Sequence, residues 1–391
     1  MEFLMQNLLK NRRFLMNKLY IAAVLSVLSA QAHAFETTAQ NAILVDYDTG
    51  AYLYTKNHDE KMSPASMSKL MTVYIIFDKL KSGLLSLDDT FTVSENAWRK
   101  GGAASGGSTM FLKIGEEISV EELLKGIIIQ SGNDACIVSA ENISGSEEEF
   151  AALMNETAEK LGLKNSIFAN STGLPDENQK MSAEDLALLA KVIIKDFPEY
   201  YYIFSEKEFT HNGIKQGNRN PLLYSMSGAD GLKTGHTEEA GFCLTASAVR
   251  GQRRLIGVMA GMGSNKERSE ESDRLMNYGF REFDNYRLFN AGQVLSQIPV
   301  WYGQTPVVDI IVPKDVVQTM QRNQKKNYQF KVKYSSPLKA PVQKGQVIGT
   351  VEIISPEGDV FSENLVAASD VAKKGVFSRL IDNIKYFYQG K

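Results

Sequence analysis

Residues that bind metals are scarce in this chain. Its 391 residues include four histidines, unclustered, and two cysteines, Cys136 and Cys243, which argues against a catalytic metal site. Long apolar runs are also missing at the N-terminus: Leu19 to Leu28 falls well short of the ~20 residues a helix needs to cross a bilayer. Neither charge sign is in excess. With 43 Lys and Arg against 46 Asp and Glu, a formal charge of −3, the chain offers nucleic acid no basic surface. The glycine-rich stretch Gly101-Gly-Ala-Ala-Ser-Gly-Gly107 has no Gly-Lys-Ser/Thr after it, so a phosphate loop and nucleotide binding are excluded. These absences leave a globular chain, 43% apolar, long enough for two domains or one large domain with an appendage. It is expected to work without cofactor, metal or nucleic acid.

Lys10, Arg12, Arg13 and Lys18 precede the N-terminal apolar run, and Ala32-His-Ala34 supplies a small-x-small cleavage site, the pattern of an export signal. Residues 1–34 are expected to be removed, leaving Phe35 as the first residue. Met16 is an alternative start, since Met16-Asn-Lys18 already places charge ahead of the run, and Arg12-Arg13 also fits a twin-arginine signal. Losing this segment, four cations against Glu2, takes the formal charge from −3 to −6. Export would expose Cys136 and Cys243 to an oxidising compartment in which a disulfide can form. The apolar neighbours of Cys136 favour a packed thiol, and two free, buried cysteines are expected.

Three short strings carry the chemistry. Ser66-Met-Ser-Lys69 opens an apolar segment in which Leu70, Val73, Tyr74, Phe77 and Leu80 recur at helical spacing, with Pro64 just before it. The spacing predicts a helix over 66–80. Residues three apart share a helix face, which brings Lys69 within reach of the Ser66 hydroxyl. A serine is a weak nucleophile without a base, and a desolvated lysine among other cations loses its proton readily enough to serve as one. First-turn amides and the helix dipole favour a developing oxyanion at the same place. The second string, Ser131-Gly-Asn133, falls between two helical runs, where Ser131 would relay a proton and Asn133 would hold Lys69 and substrate. Lys233-Thr-Gly235 starts the third, an antiparallel meander with turns at Glu239 to Gly241 and at Gly251. There Lys233 offers a cation to a carboxylate, and Gly235 clears room for a ligand backbone beside the strand. The letters alone do not select these strings, because Ser336-Pro-Leu-Lys339, Ser94-Glu-Asn96 and Ser362-Glu-Asn364 also fit them. Placement on a helix start, an interhelical turn and a strand does.

Together with the extended strings Ser63 to Thr72, Ile129 to Cys136 and Asp230 to Thr237, this order resembles the low-molecular-mass penicillin-binding proteins, the serine D-alanyl-D-alanine carboxypeptidases. The resemblance implies an α/β (α+β) fold in which a five-stranded antiparallel sheet packs on a helical cluster with the serine between them. By position it makes Ser66 the acylated nucleophile, Lys69 the general base, and Ser131 and Asn133 the rest of the relay, with Lys233 supporting it electrostatically. Thr234, Gly235 and His236 would line the peptide-binding strand, and the amides of Ser66 and His236 would form the oxyanion hole. Arg219 and Arg268 match family arginines near the substrate. Arg268 is the candidate for steering the terminal carboxylate, with a surface salt bridge as its alternative. The glycine-rich stretch corresponds to a mobile loop beside the cleft.

The expected organisation is an export signal at 1–34, a catalytic domain at 35–293, a small all-β domain at 294–370 and an amphipathic helix at 371–391. The β domain is expected from the strands Val307–Val312, Tyr328–Tyr334 and Val347–Ile354, and Ser336-Pro-Leu-Lys339 is expected in a turn within it. The last segment gathers Val376, Phe377, Leu380, Ile381, Ile384, Phe387 and Tyr388 on one face, with Lys373, Lys374, Arg379 and Lys385 elsewhere. It is expected to lie in a membrane interface, with docking on its own β domain as the alternative. The reading is an exported carboxypeptidase on the periplasmic face of the inner membrane. It would remove the terminal D-alanine from peptidoglycan stem pentapeptide and be acylated by β-lactams. A D,D-endopeptidase, a β-lactamase and a non-catalytic wall-binding protein are the alternatives; for the β-lactamase, Glu177 and Glu184 lie in the stretch where a deacylating glutamate would be needed.

Overall fold

In the computed structural model, which describes residues 35–356 and 358–389, the turn at Asp48-Thr-Gly50 joins β1 (Asn41–Asp46) to β2 (Tyr52–Lys56) as an antiparallel pair. The export signal expected at 1–34 lies outside the described residues. The meander expected after Lys233 forms β3 (Ala229–Thr237), β4 (Gly241–Arg250) and β5 (Arg253–Met262). The five strands make one antiparallel sheet in the order β2-β1-β5-β4-β3. Strand alternation sends Ile43, Val45, Ile256 and Val258 into the main helical core, as the two-residue period requires.

That core is organised around α1 (Lys69–Lys81), which is buried on nearly every side through Leu70, Met71, Val73, Ile75, Ile76, Phe77 and Leu80. Phe77 packs edge-on to Phe197 and Phe204. Helices α2 (Val120–Ile129), α3 (Asn133–Ser144) and α4 (Ala183–Asp196) close around it. Each fully buried Phe or Leu there contributes ~1.5–3 kcal/mol. The start of the segment differs from the expected single helix. Residues Ala65–Ser68 form a 3-10 turn that leads into α1 at Lys69, so Ser66 stands one turn ahead of the α-helix proper.

After the sheet, α5 (Asn265–Glu282), whose first turn is capped by Ser264 Oγ accepting from the Glu267 N–H, packs against β4 and β5. The following strand, Phe283–Phe289, pairs with Val316–Gln321, and Tyr286, Leu288 and Phe289 pack on the C-terminal core. Around that core runs a six-stranded sheet including Val294–Trp301, Val307–Ile311, Gln329–Tyr334, Val347–Ile354 and Val360–Ala367. Within Ser336-Pro-Leu-Lys339, expected in a turn, Leu338–Lys339 forms a two-residue strand parallel to Val300 and Trp301. A buried ion pair ties the parts together. Arg253 Nε donates to Asp46 Oδ2 at 2.7 Å and its Nη1 donates to the Phe283 carbonyl at 2.7 Å, while Asn285 Nδ2 donates to Asp46 Oδ1 at 3.1 Å. The chain closes on α6 (Val376–Gln389).

Candidate active site

The turn that carries Ser66 is held in an unusual backbone state. Ala65, immediately before it, has φ of 46°, in the left-handed region that a residue with a Cβ enters at ~1–2 kcal/mol. Ser66 is partly exposed between fully buried Ala65 and Met67. The strand β3 runs directly over this turn. A Cβ on Gly235 would stand 3.1 Å from Ala65 Cβ, 3.1 Å from the Pro64 carbonyl oxygen and 3.3 Å from the Met67 nitrogen. The missing side chain therefore lets the strand lie this close to the protein's own Ser66 turn.

Lys69 is the centre of the site. Its Nζ has no solvent exposure and lies 3.0 Å from Ser66 Oγ and 2.8 Å from Asn133 Oδ1, with a third short bond to the Thr172 carbonyl. Two of these partners only accept, whereas the serine hydroxyl can also donate. A neutral amine fits all three: its two N–H groups go to Asn133 and Thr172, and its lone pair faces the Ser66 proton. Burial, reinforced by the Arg219 charge, pushes the Lys69 ammonium down to about 8 from its ordinary 10.5. Lys233, also buried, makes a 3.1 Å bond to the Thr234 carbonyl. Burial first, then the Lys69 and Arg219 charges, drive its pKa well below the lysine range. Each positive charge in this group thus works against protonation of its neighbours.

Asn133 is placed by elements the motif does not name. Its backbone N–H donates to the Ser108 carbonyl at 2.7 Å, and Asp134 beside it accepts from Thr109 Oγ1 at 2.6 Å and from the Met110 and Leu112 amides. The glycine-rich stretch meets this point. A Cβ on Gly101 would fall 2.3 Å from the Asp134 nitrogen, and one on Gly107 would fall 2.9 Å from Asn133 Nδ2. At these two positions the absence of a side chain allows close packing. Ser131 has φ of 62°, and its buried hydroxyl has no hydrogen-bond partner among the described residues. The carbonyl of Thr172 is aimed by an Asx turn, in which Asn170 Oδ1 accepts from the Thr172 and Gly173 amides at 3.1 and 2.7 Å. No side-chain pattern advertises a carbonyl, so the sequence could not reveal that ligand.

The rim brings in the remaining residues. Thr234 is buried and His236 exposed, its ring 3.9 Å from that of Phe242, its direct partner on β4. Arg219 Nη1 donates to Ser108 Oγ at 2.6 Å. Arg268 is 7% exposed, donates to the Gly235 carbonyl at 3.4 Å and to Asn265 Oδ1 at 2.5 Å, and has no carboxylate partner among the described residues. The surface salt bridge considered for it is absent. Cys136 and Cys243 are both buried and unpaired, and burial pushes the Cys136 thiol up to about 12. Glu177 is exposed, and Glu184 accepts from the Tyr52 hydroxyl at 2.5 Å, so neither is bonded to the serine or its lysine.

Residues 28–264 match the family model described as D-alanyl-D-alanine carboxypeptidase, and residues 283–373 match that of the penicillin-binding protein 5 C-terminal domain. Over 355 residues the chain is 40% identical to D-alanyl-D-alanine carboxypeptidase DacA of Escherichia coli, covering 90% of this chain and 88% of that one. Over 344 residues it is 38% identical to DacF of Bacillus subtilis, covering 87% of each. Penicillin binding protein 5 from Haemophilus influenzae has a similar structure, with a TM-score of 0.78 at 39% identity, covering 88% of this chain and 100% of that one.

Proposed function

Because the chain belongs to the serine D-alanyl-D-alanine carboxypeptidases, we propose that it removes the terminal D-alanine of the peptidoglycan stem pentapeptide through an acyl-enzyme on Ser66. The observation that carries this reading is the Lys69 amine 3.0 Å from Ser66 Oγ with its other two bonds given to Asn133 and Thr172. Neutral Lys69 takes the serine proton as Oγ attacks the carbonyl of the penultimate D-alanine. The amides of Ser66 and His236 receive the oxyanion, an interaction whose single donors are worth ~2.7–4 kcal/mol in comparable sites. Ser131, with a buried hydroxyl lacking a partner, passes the proton to the departing amine, and Lys233 holds the field positive. Thr234 and the Gly235 strand align the peptide, while Arg268 and Arg219 draw its terminal carboxylate. Water then releases the shortened peptide. β-Lactams, as mimics of the D-Ala-D-Ala unit, would acylate the same serine.

Release of D-alanine from a peptide ending in Lys-D-Ala-D-Ala, measured beside a Ser66→Ala control, tests the reading. Release that vanishes in the control supports it, and none from the folded wild type refutes it. The β-lactamase alternative lacks support, since neither Glu177 nor Glu184 is bonded within the lysine-serine cluster.

The proposal extends to location. An export signal at 1–34 would deliver a catalytic domain (35–293) and a β spacer (294–370) to the periplasm, with 371–391 binding the inner membrane surface. Support comes from α6, whose Val376, Phe377, Leu380, Ile381 and Ile384 are 51–87% exposed, an uncovered apolar face suited to an interface. The side chains of Lys385, Phe387 and Tyr388 lie outside the described residues. Tyr302 donates to Asn383 Oδ1 at 2.7 Å and Lys374 pairs with Asp382 at 2.9 Å, so the β domain meets the polar side of the helix. No helix among the described residues is long and apolar enough to cross a membrane. Removing 371–391 is expected to free the protein from membrane fractions, and persistent binding would refute the anchor.

A further inference from the structure

The sheet edge remote from Ser66 borders a second concavity. β3 forms one edge and β2 the other, four strand spacings or roughly 19 Å away. Beside β2, a cavity of about 600 Å³ opens where residues 50–53 face the strand Val316–Gln321 and the segments holding Tyr328 and Phe361. Its walls are fixed to each other. The Thr49 and Thr319 hydroxyls are 2.5 Å apart, and Thr319 Oγ1 donates to Asn285 Oδ1 at 2.7 Å. The cleft is therefore preformed, and filling it orders little.

Its chemistry is narrow. Asp359 is the one charged lining residue, so a phosphate or a peptide carboxylate would meet no cation. Tyr52, whose hydroxyl is held by Glu184 and whose ring lies edge-on to His58, is 50% exposed, Phe361 is 41% exposed, and Gln318, 9% exposed, lines the same wall. The matching ligand is neutral and flat, with C–H faces to lie on aromatic rings and hydroxyl or acetamido groups for planar amides. A pyranose chain has those properties, and the stem peptides of peptidoglycan are carried on one.

We propose that this cleft is a glycan exosite, which holds the sugar strand of peptidoglycan while the Ser66 site works on an attached peptide. The inference rests on the carboxypeptidase reading for its biological use, but its binding test does not. With the full chain, binding of the β-1,4-linked N-acetylglucosamine tetramer is measured by calorimetry. D-alanine release is then compared on polymeric, pentapeptide-rich peptidoglycan and on a soluble Lys-D-Ala-D-Ala peptide. Tyr52→Ala and Phe361→Ala are each expected to weaken tetramer binding and raise KM on the polymer about tenfold, leaving soluble-peptide kinetics unchanged; Phe361→Ala also leaves the melting temperature unchanged, whereas Tyr52→Ala lowers it through loss of the Glu184 bond. Gln318→Leu, which keeps the bulk, is expected to weaken binding likewise. Absence of tetramer binding by the wild type, or variants that act on the polymer like the wild type, would overturn the exosite. Failure on the soluble peptide alone would instead overturn the carboxypeptidase reading, with tetramer binding still deciding this one.

Discussion

The acylation rate should follow the proton on Lys69. Burial holds this amine at about 8 instead of 10.5, which leaves on the order of a few hundred times more neutral base at pH 7 than an ordinary lysine would supply. On this basis roughly one molecule in ten is competent at pH 7. The second-order rate constant for acylation by a penicillin, which reports the free enzyme, should rise about tenfold per pH unit through the acid range and level off above about 8. Lys69→Arg, which cannot become neutral, should lose the reaction. Because the Arg219 charge also pushes the Lys69 proton off, Arg219→Gln should move the plateau to higher pH, whatever it does to the rate itself. Stopped-flow acylation with a chromogenic cephalosporin between pH 5 and 10 reads both effects. A flat profile from pH 6 to 9, an active Lys69→Arg, or a plateau that moves down in Arg219→Gln would refute the argument. The same shift bears on stability. Unfolded lysine keeps its proton up to about 10.5 and the folded residue releases it near about 8, so stability should climb with pH between those values. Below about 8 the folded state carries the full cost of a buried ammonium.

Ser131→Ala should leave the melting temperature nearly unchanged, since the hydroxyl has no partner to lose, while D-alanine release falls ~10²–10⁴-fold if it relays a proton; unaltered turnover would remove it from the relay. Gly235→Ala inserts a methyl 3.1 Å from Ala65 Cβ and should cost ~1–3 kcal/mol in urea unfolding, with slower acylation because the nucleophile turn must shift. Asp46→Asn, which strips Arg253 of its buried partner at 2.7 Å, should destabilise by ~3–5 kcal/mol, and a loss below about 1 kcal/mol would show the pair to be dispensable.

What the sequence disclosed is the part of the site that chemistry writes in side chains. Ser66, Lys69, Asn133 and Lys233 must be those residue types at workable spacings, and the hydrophobic period of 70–80 and the β3 to β5 meander were legible for the same kind of reason. What stayed hidden is written in the backbone. The left-handed states of Ala65 and Ser131 have no glycine to signal them. Thr172 bonds through a carbonyl that any residue carries, and Asp134 fixes the Asn133 turn through Thr109 and Met110, contacts that only the folded chain brings together. The glycines carried a second meaning that the sequence did not spell out. An absent side chain says that something comes close, but not what, and at Gly101, Gly107 and Gly235 the close neighbour is the protein itself. The strand Phe283–Phe289 pairs with Val316–Gln321, and long-range pairing of this kind leaves little local mark.

The packing around Ser66 also restricts how drug resistance could arise. Ala65, Met67 and Gly235 touch one another across the turn that presents the nucleophile, and Gly173 meets the same turn, where a Cβ would fall 2.1 Å from the Ala65 carbonyl oxygen. Bulk added at any of these positions to keep out a β-lactam would dislodge the serine as well. Escape mutations would therefore have to lie outside this inner turn, on the exposed rim of the cleft.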